Sequence, residues 1–142
     1  MQIPDINLLV YAYDRDSTFH EPACRWLESL FEDSADIGIP LVVALGFVRI
    51  VTSKILRRPQ PVSEALLIVE EWFQFPNVHL LEPGDRHWRE LHGLLRESSS
   101  TPKMITDAHI AAIAIEHRAT LCSNDRDFQR FASLRLVNPL EA

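Results

Sequence analysis

The sequence is short of cysteine, of positive charge and of long apolar runs, and each shortage excludes something. Its two cysteines, Cys24 and Cys122, stand far apart and lack the spacing of a metal site. With no export signal ahead of them, they read as reduced thiols of a cytoplasmic protein. The N-terminus has no cationic stretch, and Asp5 precedes the first apolar run, so no secretory signal is expected there. No apolar run approaches the roughly 18 residues of a membrane span. Lys and Arg number 14 against 20 Asp and Glu, a formal net charge of −6. That balance argues against indiscriminate nucleic-acid binding, yet it allows a basic rim around an acidic pocket. His20-Glu21 opens a zinc-protease pattern, but Pro22 interrupts it and no second histidine follows. A closed zinc site needs four soft or imidazole ligands. The six histidines show no pair at i, i+4. Internal repeats, heptads and low-complexity tracts are absent as well.

What is present suits one globular domain spanning residues 1–142, with 46% apolar and 24% charged residues. Two domains would leave each half too little core. Strand-like runs alternate with helical stretches, which predicts an α/β fold with a mainly parallel sheet. Strands are expected at 1–4, 37–39, 78–81, 119–122 and 134–137. Helices are expected at 7–13, 21–31, 40–52, 64–75, 85–97 and 106–117. Thr18, Ser63 and Thr106 are the expected caps of three of them. Trp26, Trp72 and Trp88 fall on apolar helical stripes and so belong to the core before any base-stacking surface. Leu66 joins the apolar side of its helix. Ser98 to Pro102 is the most flexible-looking segment.

The chain is organised around 106–128, TDAHIAAIAIEHRATLCSNDRDF. Its helix is apolar almost all round, as a deeply packed helix must be. Asp107 stands in the first turn, where the helix dipole favours negative charge. The short apolar run Ala119 to Cys122 suits a parallel strand, and it ends in Ser123-Asn124-Asp125-Arg126-Asp127. Asp5 follows the first strand. Ligands of open α/β sheets bind off the carboxyl ends of the strands. Asp5, Asp107 and Asp125 are therefore candidate ligands for a hard cation such as Mg2+ or Mn2+, with Asp127 at the rim. Each acid also has a plainer role, as helix cap, dipole partner or turn residue. Ser123 and Asn124 could orient water or a ligand carboxylate. Arg49 and Arg126 are the first candidates to anchor flanking phosphates, and Lys54, Arg57 and Arg58 form a basic loop.

Three stretches carry a family resemblance. Asp5-x-Asn7 followed by Leu8-Leu9-Val10-Tyr11-Ala12 resembles the opening of PIN-domain proteins, especially the VapC-type toxins of toxin–antitoxin pairs. Thr106 to Ala112 is similar to their second acidic motif, and Ser123 to Phe128 to their third. The resemblance implies a three-layer α/β/α PIN-like fold and a Mg2+- or Mn2+-dependent endoribonuclease. It also implies a homodimer and a cognate antitoxin that blocks the site. Catalysis would fall to Asp5, Asp107 and Asp125. One departure stands out: the family's usual glutamate after the second strand is matched by Gly46, in Gly46-Phe47-Val48-Arg49. That leaves two alternatives, a catalytically weakened binding module and a housekeeping metal-dependent nuclease.

Overall fold

The computed structural model describes residues 1–98 and 101–141. Five strands, β1 (Gln2–Pro4), β2 (Ile37–Pro40), β3 (Val78–Leu81), β4 (Thr120–Cys122) and β5 (Arg135–Val137), form one sheet in the order β3-β2-β1-β4-β5. Every pairing is parallel. Six helices flank it: α1 (Ile6–Tyr13), α2 (His20–Glu32), α3 (Leu41–Val51), α4 (Val62–Gln74), α5 (His87–Glu97) and α6 (Ile105–Glu116). The helices between β1, β2 and β3 pack on one another, as α1 on α2 and α3 and α3 on α4, while α5 packs on α6. Right-handed crossovers put these two groups on opposite faces, because the sheet grows one way from β1 to β3 and the other way from β4 to β5. The result is the expected three-layer α/β/α fold.

The core follows from burial on both faces. β2 is buried throughout, as a central parallel strand should be. In α6, residues Ala108, Ile110, Ala111, Ala112, Ile113 and Ala114 are all buried, and the small alanines let the helix lie close to its neighbours. On the other face Phe47 packs on Trp72 with ring centroids 4.7 Å apart. The Trp72 indole N–H donates to the Tyr13 hydroxyl at 3.0 Å, which satisfies the one polar atom that ring buries.

Several local expectations are corrected. Trp88 is 71% exposed, because α5 buries only His87, Leu91 and Leu94 and turns Trp88 outward. Trp26 is half-buried, so of the three tryptophans Trp72 alone is fully inside. Leu66 is exposed, since α4 docks through Ala65 and Trp72. Thr106 lies inside α6 rather than capping it: a tight helical turn at Pro102–Met104 starts the winding earlier. Ser63 lies inside α4, which begins after Pro61, and α2 begins after Phe19 with no side-chain cap. Of the segment expected to be flexible, Ser99 and Ser100 lie outside the described residues. Ser98 closes α5 through its hydroxyl, which donates to the Leu94 carbonyl at 2.6 Å.

Candidate active site

The sheet order creates the site. The chain leaves β1 toward β2 and returns to the other side of β1 only at β4. The crevice at the carboxyl ends of β1 and β4 is thus a topological switch point, where open α/β sheets bind ligands. Register places Pro4 beside Cys122, so the residues that follow, Asp5 and Ser123, emerge side by side. The Asp5 amide donates to the Cys122 carbonyl at 2.8 Å and fixes that juxtaposition.

A nested set of hydrogen bonds then aims the acids. Asp5 is both the cap of α1 and a site residue: its Oδ1 accepts the Ile6 N–H at 2.8 Å. Its Oδ2 accepts the Ser123 hydroxyl at 2.7 Å. The Ser123 oxygen accepts the Asp125 N–H at 3.0 Å, and Asp125 Oδ1 accepts the Asp127 N–H at 2.9 Å. Ser123 therefore orients a carboxylate, one of the two roles open to it from the sequence. Asp107 reaches the crevice from the first turn of α6.

Asp5, Asn7, Asp107 and Asp125 line one cavity of about 250 Å3, with Ile6, Val10, Tyr11 and Ile50 as its apolar wall. The three acids, far apart in sequence, are thus brought together. Burial lifts the Asp5 pKa from 3.8 to about 6, and the charges of Asp107 and Asp125 add to the rise. The bonds from Ser123 and Ile6 pull the other way. Asp107 is raised too, by burial first and then by Asp125 and Asp127, with Lys103 opposing. Asp127 does not line the cavity, and its charge adds to the rise at Asp107.

The donor set suits a hard cation. All four polar groups offer oxygen, and Asn7 Oδ1 is buried without a hydrogen-bond partner. Asn7 belongs to the first acidic stretch, yet its sequence alone carries no sign that its oxygen is orphaned. Among the described residues, no three carboxylate, imidazole or thiolate groups are close enough to share an ion directly. An ion that keeps several waters, as Mg2+ does, fits such a spread set; a zinc ion closed by four protein ligands does not.

Gly46 shows how the missing glutamate is accommodated. It is buried, and a Cβ built on it runs into Cδ1 of Ile6, beside Asp5. An apolar side chain takes the ground next to the glycine. Of the expected phosphate anchors, Arg126 is exposed and lies 3.6 Å from Glu141, and Arg49 is exposed at the end of α3. In the basic loop, Arg58 pairs with Asp16 at 3.2 Å.

The PIN domain family model matches residues 3–134. The chain is 40% identical over 141 residues to Ribonuclease VapC33 of Mycobacterium tuberculosis, covering 99% of each chain. Its fold resembles VapBC2 from Rickettsia felis bound to a promoter DNA fragment, with a TM-score of 0.70 and 20% identity over 96% of this chain and 97% of that one. It also resembles a toxin–antitoxin complex from Klebsiella pneumoniae, with a TM-score of 0.65 and 16% identity over 98% of each. Three acids gathered at the switch point of a five-stranded parallel sheet, in a chain this similar to VapC ribonucleases from end to end, make it a member of the PIN-domain family and, within it, of the VapC group.

Proposed function

We propose that this protein is the toxin of a toxin–antitoxin pair, an endoribonuclease that hydrolyses RNA phosphodiester bonds with Mg2+ or Mn2+. The observation that carries the reading is the convergence of Asp5, Asp107 and Asp125 on one cavity at the switch point. Asp5, Asp107 and Asp125 would hold the ion, with Asp127 at the margin. Such an ion supplies charge neutralisation at the phosphate and a more acidic water near neutral pH.

The chain's own residues do the rest. The Ser123 hydroxyl is buried and donates to Asp5, so it positions a carboxylate and is not available to attack phosphorus. The acids repel a phosphodiester until their charge is matched, which couples metal binding to RNA binding. The wall of Ile6, Val10, Tyr11 and Ile50 shields one side of the cavity from water and strengthens the electrostatics inside it.

Exposed apolar side chains support the protein partners. Leu41 and Leu45 on α3, and Leu66 and Leu67 on α4, are each about half exposed or more. A second copy of the chain and a cognate antitoxin are the expected partners that bury them. No described helix is long and apolar enough to cross a membrane, which is compatible with action on cytoplasmic RNA.

The test is cleavage of a defined RNA by purified protein with Mg2+, with Mn2+ and with chelator. Cleavage only with metal, blocked by the product of the adjacent antitoxin gene, is the expected result. Cleavage that persists in chelator overturns metal dependence. A folded protein that binds RNA and never cuts it returns the reading to a binding module, which the apolar Ile6 beside Gly46 favours.

A further inference from the structure

A second cavity opens beside the first, and its chemistry is different. It lies at the carboxyl ends of β4 and β5, has a volume of about 180 Å3, and shares a wall with the acidic site through Asp125. Three carboxamides, Asn124, Gln129 and Asn138, line it together with Ser123, Arg126 and Glu141, and Leu136 is its one aliphatic side chain.

Carboxamides offer donors and acceptors together but no charge, so by themselves they select neither an ion nor a bare phosphate. The one cation in the lining is Arg126, at the rim, 3.6 Å from Glu141. What a carboxamide matches is a planar group with donors and acceptors on one edge, as a nucleobase has. Two of the three are set in orientation. Asn138 donates from Nδ2 to Asn124 Oδ1 at 2.9 Å, and its Oδ1 accepts the Leu140 N–H at 3.0 Å. The Asn124 amide N–H groups and the Gln129 side chain keep no partner among the described residues, so donors and an acceptor remain for a ligand. The cavity is smaller than the roughly 300–1,000 Å3 of pockets that enclose drug-sized ligands, which suits a single flat ring among polar groups. Sequence-specific RNA recognition works on such unpaired, splayed bases.

We infer that this cavity is a nucleobase subsite, taking the unpaired base next to the scissile phosphate. Asn124, Gln129 and Asn138 read the edge of the base, and its face rests on Leu136. Arg126 exchanges Glu141 for a backbone phosphate, which an exposed ion pair of that length permits. This deepens the ribonuclease reading and rests on it: the subsite selects where the RNA is cut.

Two measurements test it. The first uses the uncharged nucleosides adenosine, guanosine, cytidine and uridine with metal-free protein, so it requires no cleavage. Side-chain amide resonances of Asn124, Gln129 and Asn138 should shift with one or two of the four and not with inorganic phosphate. Gln129 is exposed and its side chain makes no hydrogen bond among the described residues, so Gln129→Leu should leave the fold intact and weaken that binding about five- to tenfold, the scale of a lost base-edge contact. The second sequences the ends of cleaved RNA. Wild type should prefer one base at a single position beside the cut, and Gln129→Leu should flatten that preference by a similar factor with the Mn2+ midpoint unchanged. Nucleosides that leave the three amides unmoved, or a preference that Gln129→Leu does not alter, overturn the subsite. A protein that binds a nucleoside there yet cuts no RNA overturns the ribonuclease reading instead.

Discussion

Two buried polar clusters meet on α6, and they are built on opposite rules. One is the acidic cavity around Asp5, Asp107 and Asp125. The other joins α5 to α6: His87 Nε2 and His109 Nδ1 are 2.8 Å apart, and the Glu116 carboxylate lies 3.9 Å from His87 Nδ1. Glu116 also accepts the Gly84 N–H at 2.9 Å and the Arg86 N–H at 3.2 Å. This second set mixes acid, base and amide, so most of its members satisfy one another, while His87 Nδ1, 3.9 Å from Glu116, is buried without a hydrogen bond. Burial, followed by His87, lowers the His109 pKa, which keeps that ring neutral near pH 7. The first set gathers carboxylates: burial and then neighbouring acids raise the pKa of Asp5 and Asp107, and Asn7 Oδ1 stands without a hydrogen-bond partner. A cluster that mixes donors and acceptors holds a fold together, whereas one that gathers like charges calls for a ligand of opposite charge.

That contrast breaks most sharply at Asp5. Asp5→Asn should lower RNA cleavage by more than the ~10–100-fold typical of residues that only support a metal ligand. It should also abolish any rise in Tm with Mn2+, which binding to the folded state gives the wild type. Its effect on the metal-free fold runs the other way. The Asp5 pKa is about 6 in the folded state against 3.8 for the free group. This group's stability is therefore fully present below pH 3.8 and is lost as pH rises through 6, on the order of 3 kcal/mol by pH 7. Metal-free Asp5→Asn should melt higher than wild type at pH 7, with a flatter pH dependence between 4 and 6. An equal loss of stability at every pH would mean that Asp5 is only a helix cap.

Glu116→Ala probes the other cluster and should have the opposite signature. The Gly84 and Arg86 amides lose their acceptor, which costs about 2 kcal/mol. Denaturant unfolding should show the loss, while the Mn2+ midpoint stays where it was. A changed midpoint would show that the two clusters are coupled through α6.

Gly46→Glu sharpens the account of the missing acid. Alone, it forces the new side chain onto Ile6 and should cost about 1–3 kcal/mol from overpacking, partly offset by ~1 kcal/mol of helix propensity. Together with Ile6→Ala it should fold well and bind Mn2+ more tightly than wild type, as calorimetry would record. A folded double variant with unchanged affinity would mean that Gly46 does not face the metal.

The smallest effect is expected where α6 ends. Arg118 takes a positive φ of 53°. It lies between the Arg118 N–H bond to the Ile115 carbonyl at 3.0 Å and the Ala119 N–H bond to the Ala114 carbonyl at 2.8 Å. Glycine ordinarily fills this position of the motif. Arg118→Gly should raise stability by up to ~1 kcal/mol, measured by thermal unfolding, with no change in cleavage.

The period of apolar residues and the places of the acids were legible before any fold was known, because both are local. Alternation of strands and helices follows from patterns a few residues long, and the acids of Asp5, Asp107 and Asp125 stand at strand ends or a helix start whatever surrounds them. Helix caps were less legible: Thr18, Ser63 and Thr106 have the right chemistry, but a preceding proline or turn began the winding elsewhere. Depth was legible only in part. Trp88 and Leu66 obey their helical stripes, yet the faces that α5 and α4 bury are narrower than those stripes.

By itself, then, the sequence determined that this is an α/β chain with three acids placed to meet off one sheet edge. Only the tertiary structure decided that Ser123 donates to Asp5, that Ile6 covers Gly46, that His87 meets His109, and that Asn124 and Asn138 wall a second cavity. Those pairings join residues from 14 to 118 positions apart. They depend on which strand lies beside which, and no local propensity encodes that until the elements have packed.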